Sequence, residues 1–155
     1  MKKIISLSVV IVLLDQIIKF FITTLELHQK ITIIQDFFYI TYVRNDGAAW
    51  SILSGNRIIL ILVGIFALLL IYFFLIKNKK LTNLEQISYG ILTGGIIGNL
   101  IDRIIHGFVI DYLDFKIFNY YFPVFNLADI MIVIGMFLII IQVLKGDKNE
   151  QTNRN

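Results

Sequence analysis

The chain contains no cysteine, one proline, two histidines and one tryptophan, and only 16% of its 155 residues are charged. Without cysteine there are no disulfides, no thiolate metal sites and no thiol nucleophile. Two imidazoles, His28 and His106, fall short of the three protein ligands usual at catalytic zinc, and no H-E-x-x-H occurs. Ser51 and Ser54 have no histidine at helical depth and no serine sits in G-x-S-x-G, which disfavours serine hydrolysis. Both histidines read as solvated loop residues. What the sequence has in excess is hydrophobicity, at 57%, too much for a soluble domain of this length. Lipid must be the solvent for much of it.

Four apolar runs organise the chain as a mostly α polytopic membrane protein in a single membrane-embedded domain, 1–155. Transmembrane helices are expected at about 4–22, 58–76, 84–105 and 124–144. The run from Ile58 to Ile76 has nineteen consecutive uncharged residues, enough at about 1.5 Å per residue to cross a hydrocarbon core of about 30 Å. The first run follows Lys2 and Lys3 as a secretory signal would, but no small-x-small cleavage site follows and three more runs do. Pro123 sits where the last helix is expected to begin, which suits proline in a first turn. The net charge of +3 invites a nucleic-acid partner, yet Lys2, Lys3, Lys77, Lys79, Lys80, Lys145 and Lys148 all flank the apolar runs. They act as topology determinants and place both termini, with the tail 145–155, in the cytoplasm.

Residues 23–57 then lie outside. The stretches Ile31–Ile34 and Phe37–Val43 are β-branched and aromatic, so a small extracytoplasmic β-rich cradle is expected on the outer membrane face. On spacing alone, Asn45-Asp46-Gly47 reads as an ordinary hairpin turn. Trp50 suits either a lid over a cleft or simple interfacial anchoring.

Asp102, Arg103, Asp111 and Asp129 all map near the outer interface under this topology. A charge at a membrane helix centre costs roughly 2.5–3.5 kcal/mol, so a cluster of them marks a functional site. Gly90, Gly94 and Gly98 form a stripe at intervals of four that continues to Asp102 and suits close helix packing. Beside it run Gly95, Asn99 and Arg103, whose plainer reading is an interhelical hydrogen bond and a snorkelling cation. Asp15 and Lys19, four apart, pair on one helical face, as a direct participant or as a self-neutralising ion pair. A proton relay or a non-catalytic scaffold remains open at this point. Intramembrane aspartates serve relays, although here the charges gather at one face instead of crossing the bilayer.

Five segments in order resemble the lipoprotein signal peptidases of bacteria, also called signal peptidase II: DQIIK (Asp15 to Lys19), NDGAAWS (Asn45 to Ser51), GGIIGNLIDR (Gly94 to Arg103), GFVIDY (Gly107 to Tyr112) and FNLADI (Phe125 to Ile130). The resemblance implies an aspartyl endopeptidase of the bacterial cytoplasmic membrane that uses no cofactor and no metal. Its substrate is a prolipoprotein carrying a diacylglyceryl group, cut just before the lipidated cysteine. It implies Asp111 and Asp129 as the catalytic pair, with Asp15, Lys19, Asn45, Gly47, Asn99, Arg103 and Asn126 in support. Membrane lipid is the other expected partner, nucleic acid is not, and the protein is expected to act as a monomer with its site at the extracytoplasmic face.

Overall fold

The computed structural model describes residues 1–48, 52–77, 79–118 and 120–152, the last eight by their helical backbone alone. Trp50 and Ser51 lie outside the described residues, and so does the end of the expected tail. In chain order the elements are α1 (Lys2–Ile22), β1 (Lys30–Ile34), β2 (Phe38–Asn45), α2 (Arg57–Leu70, continued by a π-helical turn Ile71–Ile76), α3 (Asn83–Ile105), β3 (Val109–Ile117), β4 (Tyr120–Tyr121) and α4 (Leu127–Thr152). The molecule is therefore mostly helical with one small sheet. Three helices, Lys2–Ile22, Arg57–Ile76 and Leu127–Leu144, are long and apolar enough to cross a membrane.

The run expected at 84–105 forms a helix of 23 residues but is too polar to count among them. Its polar residues are not turned outward. Ser88, Thr93, Asn99 and Asp102 are all buried, because α3 is the central helix and packs on α1, α4 and α2. Its start is a reciprocal cap: Glu85 N donates to Thr82 Oγ1 while Thr82 N donates to Glu85 Oε2. Its end is closed by a neighbour, since Arg57 Nε and Nη2 donate to the carbonyls of Arg103 and Ile104 at 2.7 and 2.6 Å. By contrast α2 buries only Leu60 and exposes Ile58, Leu62 and Phe66, as a helix surrounded by lipid tails would.

The expected ribbon at 23–57 is only half of the sheet. β1 and β2 come from it, but β3 and β4 come from the connection between α3 and α4, completing an antiparallel sheet of order β1-β2-β3-β4. The hairpin turn is not at Asn45-Asp46-Gly47 either. It falls between β1 and β2, where Asp36 takes a left-handed φ of 58° that a short polar side chain tolerates. Asn45 instead ends β2, and its Oδ1 accepts from Gly47 N at 3.0 Å in an Asx turn.

The last helix also starts later than its proline suggests. After Pro123 the chain stays extended, with Phe125 bridging Leu113 of β3. Helix begins only at Leu127, where Asn126 and Asp129 cap reciprocally: Asp129 N donates to Asn126 Oδ1 and Asn126 N to Asp129 Oδ2. It runs to Thr152, so the start of the expected tail is helical.

Candidate active site

The site lies where the C-terminal half of α3, the start of α4, the C-terminal end of α1 and strand β3 converge. Two glycines permit that convergence. A Cβ on Gly98 would stand 2.7 Å from Asp15 Oδ2, and one on Gly95 would stand 2.5 Å from the Ala128 carbonyl. Only hydrogen fits at either place.

Its foundation is a buried charge cluster. Lys19 Nζ, from a side chain 1% exposed, lies 2.8 Å from Asp15 Oδ2, 2.8 Å from Asp102 Oδ2 and 3.1 Å from Asn99 Oδ1, so all three ammonium protons have acceptors. Asp15 and Asp102 are fully buried, and both oxygens of each carboxyl have partners. Gln16 Nε2 donates to Asp102 Oδ1 at 2.9 Å, Ile110 N to Asp102 Oδ2 and Ala128 N to Asp15 Oδ1. The lysine and two aspartates thus join α1 to α3, to the first residues of β3 and to the N-terminus of α4. A self-neutralising i,i+4 pair is too small a description, because Asp102 is a full member.

Asp111 and Asp129 stand above this cluster. A bulge in β2 between Ile40 and Val43 shifts the register so that Val43 faces Asp111 and Asn45 faces Val109. Asn45 thereby becomes the diagonal neighbour of Asp111 on one face of the sheet, and its Nδ2 donates to Asp111 Oδ2 at 2.9 Å. The other Asp111 oxygen accepts from Asn126 Nδ2 at 2.7 Å. Asp129 Oδ1 accepts from Asn99 Nδ2 at 2.7 Å, and its Oδ2 from the backbone N of Asn126 at 3.2 Å. Asn126, fully buried, therefore touches both carboxyl groups, and its Nδ2 also lies 3.1 Å from Asn99 Oδ1. Burial and, after it, the charge of Asp129 push the Asp111 carboxyl up to about 7, against the pull of Asn45 and Asn126.

Arg103 closes the arrangement. Its Nη2 donates to the Gly47 carbonyl at 2.8 Å and its Nη1 lies 3.4 Å from the Asn99 carbonyl. Among the described residues its buried Nε has no partner. Tyr112, next to Asp111, supplies the phenol oxygen that accepts from Leu127 N, and burial raises that phenol to about 12.

The structure thus gathers all nine expected site residues. It makes Asp102, read from the sequence only as part of an interfacial charge cluster, a full member, and adds two residues that the sequence does not single out, Gln16 and Tyr112. Asp102 carried a signal, since it ends the glycine stripe in GNLIDR. The other two carried none, because an interfacial glutamine or tyrosine has many ordinary uses. His28 and His106 are both exposed and away from the site, His106 as the cap of α3 with its ring stacked on Phe108.

A profile of the Signal peptidase (SPase) II family matches residues 7–145. A lipoprotein signal peptidase of Staphylococcus aureus is 40% identical over 148 residues, covering 95% of this chain and 91% of the relative. A bacterial membrane enzyme solved by the in meso method at 2.3 Å is 39% identical and superimposes with a TM-score of 0.88 over 96% of this chain and 92% of that one. A second such structure, at 1.9 Å, is 39% identical with a TM-score of 0.83 over 94% of both.

Proposed function

The chain belongs to the signal peptidase II family, and from that premise and the site geometry we propose that it is an aspartic endopeptidase that removes signal peptides from diacylglyceryl-modified prolipoproteins. The observation that carries the reading is the shared scaffold of two carboxyls, Asp111 and Asp129, both bonded by Asn126 at the end of a helical bundle.

Two carboxylates held together in a partly dry site cannot both ionise cheaply, so the pair keeps one proton between them. We assign that proton to Asp111, whose carboxyl is pushed up to about 7. Asp129 is the ionised member. It sits in the first turn of α4, where the helix dipole favours an anion, and it accepts from Asn99 and from a backbone amide. Asp129 takes a proton from water as the water oxygen attacks the scissile carbonyl, and Asp111 gives its proton to the carbonyl oxygen. The resulting diol collapses as Asp129 passes the proton it took from water to the leaving nitrogen and Asp111 recovers one from a diol hydroxyl. The peptide C–N bond breaks, freeing the carboxyl end of the signal peptide and the amine of the lipidated cysteine. No covalent enzyme intermediate is required. Asn99, Asn126 and Asn45 orient the carboxyls, and Lys19 and Asp15 fix the helices that carry them. The guanidinium of Arg103, pinned beside Gly47, suits a substrate carbonyl or ester oxygen.

The lysine distribution supports termini in the cytoplasm and a site at the extracytoplasmic face of the bacterial plasma membrane. In that frame α3 crosses with α1, α2 and α4 as a fourth span in a single domain, its polar residues shielded by the other three. There the substrate stays in lipid by its acyl chains while water reaches the bond. Purified full-length protein should cleave a diacylated prolipoprotein and spare its unlipidated precursor. Asp111→Asn and Asp129→Asn should each lower turnover by at least about 10³-fold with the helical content kept. Near-normal turnover in either variant would sink the assignment.

A further inference from the structure

The sheet carries an apolar end that the reaction does not use. β3 leaves the site at Asp111 and reaches its hairpin with β4 seven residues later, at Phe118, about 23 Å away at roughly 3.3 Å per residue. The chain then returns beside β3, Phe122 N donating to Phe115 O and Phe125 bridging Leu113, and enters the apolar span of α4 at Leu127. At the far end Phe118 is 99% exposed, and Ile117, Tyr120, Tyr121 and Phe122 are exposed too. Phe118 also holds a φ of 47°, a left-handed backbone rarely occupied by a bulky aromatic. Among the described residues its ring is left 99% exposed despite that strain.

This end is not a loose flap. Lys30 of β1 reaches over the sheet to touch one residue on each other strand: its Nζ is 2.7 Å from Asp114 Oδ2, 3.9 Å from the Tyr39 ring centre and 5.0 Å from that of Tyr121. Opposite edge strands meet at one ammonium, so the sheet is strongly curled. A second clasp, Lys116 to Asp36 at 3.2 Å, ties the β1–β2 turn to the same end of β3. The hairpin is the tip of a stiff arm whose root is fixed at the start of a membrane span.

Such an arm has two attitudes available. Upright, it would hold five apolar side chains about 20 Å out in water; laid over, it would bring them to the level of the α4 N-terminus. Aromatic side chains with one apolar body and one polar end settle at the headgroup boundary. We infer that the β3–β4 hairpin, led by Phe118 and Tyr120, is a membrane-docking tip that inserts into the outer leaflet of the lipid bilayer and holds the sheet flat along the surface. The occupant of this surface is lipid. Continuity with a span five residues downstream of Phe122 delivers it there, and the side chains offered have no charge to pair with a protein partner. The inference rests on the proposed topology.

Because the chain has no cysteine, a single substitution gives a unique label site. Phe118→Cys carrying an NBD fluorophore, in the full-length protein in phosphatidylglycerol-containing nanodiscs, should emit blue-shifted light. Headgroup-level nitroxide lipids should quench it, and aqueous iodide should spare it. Leu62→Cys, at an exposed position midway along α2, should be quenched by nitroxides deep in the acyl chains. Iodide quenching at 118 with deep quenching at 62 overturns the docking tip and leaves the spans standing. Loss of deep quenching at 62 overturns the topology itself. Quenching of both labels by protein crosslinked in trans, and not by lipid nitroxides, would assign the tip to a second copy and likewise overturn the inference.

Discussion

The two halves of α3 solve the same packing problem with different chemistry. In its N-terminal half Gly90 and Gly94 admit α1, and the polar contacts inside the bundle there are neutral: Ser8 Oγ lies 2.7 Å from Thr93 Oγ1, and Gln142 Nε2 donates to Ser88 Oγ at 2.9 Å. In its C-terminal half Gly95 and Gly98 admit α4 and the Asp15 carboxyl, and the polar contacts are ionic. Neutral hydrogen bonds are sufficient to hold helices together in lipid. A cluster with two carboxylates and one ammonium is not needed for that, and it is expensive to bury. The difference shows that the charged half is kept for what stands on it. Asp102 holds Ile110 N and Asp15 holds Ala128 N, so Asp111 and Asp129 are each preceded by a residue whose backbone the cluster grips.

The sharpest way to break this comparison is to remove the cation. Lys19→Met keeps the stem and leaves Asp15 and Asp102 facing one another without it, which should cost about 3–5 kcal/mol of stability. Thermal unfolding in detergent measures it, and a loss below about 1 kcal/mol would mean that the cluster is not the foundation of this end of the bundle. The next effect is one of pH. The Asp111 carboxyl sits at about 7, above its ordinary 3.8, so the native state holds a proton that the unfolded chain has already released. Stability should therefore fall as pH rises from about 4 to about 7 and level off above it. Asp111→Asn lacks that slope and should be the more stable protein at pH 8, by about 2–4 kcal/mol, with the advantage gone near pH 4. In the wild type, turnover should decline as the shared proton is lost above neutrality. A flat stability profile, or a variant no steadier than wild type at pH 8, contradicts the buried carboxyl.

A third test contrasts a glycine on α3 with one on its neighbour α2. Gly95→Ala puts a methyl 2.5 Å from a backbone carbonyl of α4, whereas Gly64→Ala on α2 meets only the end of the Leu100 side chain at 3.3 Å. The first should cost about 1–3 kcal/mol and displace Asp129 enough to lower turnover at least tenfold; the second should be nearly neutral. Equal effects would deny that α3 and α4 are locked more tightly than α2 and α3.

Much of this was legible without coordinates, for physical reasons. Unbroken apolar runs and flanking lysines have few other uses, so α1 and α2 follow from them. Spacing of four in Gly95, Asn99 and Arg103 does put those residues on one face. The limits are equally physical. α3 reads as a span because its polar residues are sparse, yet it is the helix most surrounded by protein. β3 was hidden because Val109–Ile117 mixes buried apolar residues with Asp111 and Asp114, and its partner strand β2 lies more than sixty residues upstream. The start of α4 was misplaced because proline at a first turn is a common signal, while an Asn126–Asp129 cap competes with it invisibly until both carboxyl contacts are seen. Asp102 reads as part of the interfacial charge cluster, but a carboxyl four residues after a packing glycine does not announce that the ammonium it meets is Lys19 of α1.

The mildest prediction concerns the neutral end. Ser8 Oγ lies within 3.0 Å of the Ile4 and Gly90 carbonyls as well as of Thr93, but a hydroxyl has one proton and can satisfy only one of them at a time. Thr93 Oγ1 reaches the Tyr89 carbonyl at 2.6 Å within its own helix, so it keeps a partner when Ser8 is removed. No buried donor is orphaned, which is what makes such losses costly elsewhere. Ser8→Ala should therefore cost about 0.5–1 kcal/mol and leave turnover unchanged. If it instead matched Lys19→Met in either readout, the two halves of α3 would be energetically alike, and the charged cluster would have no claim to a separate purpose.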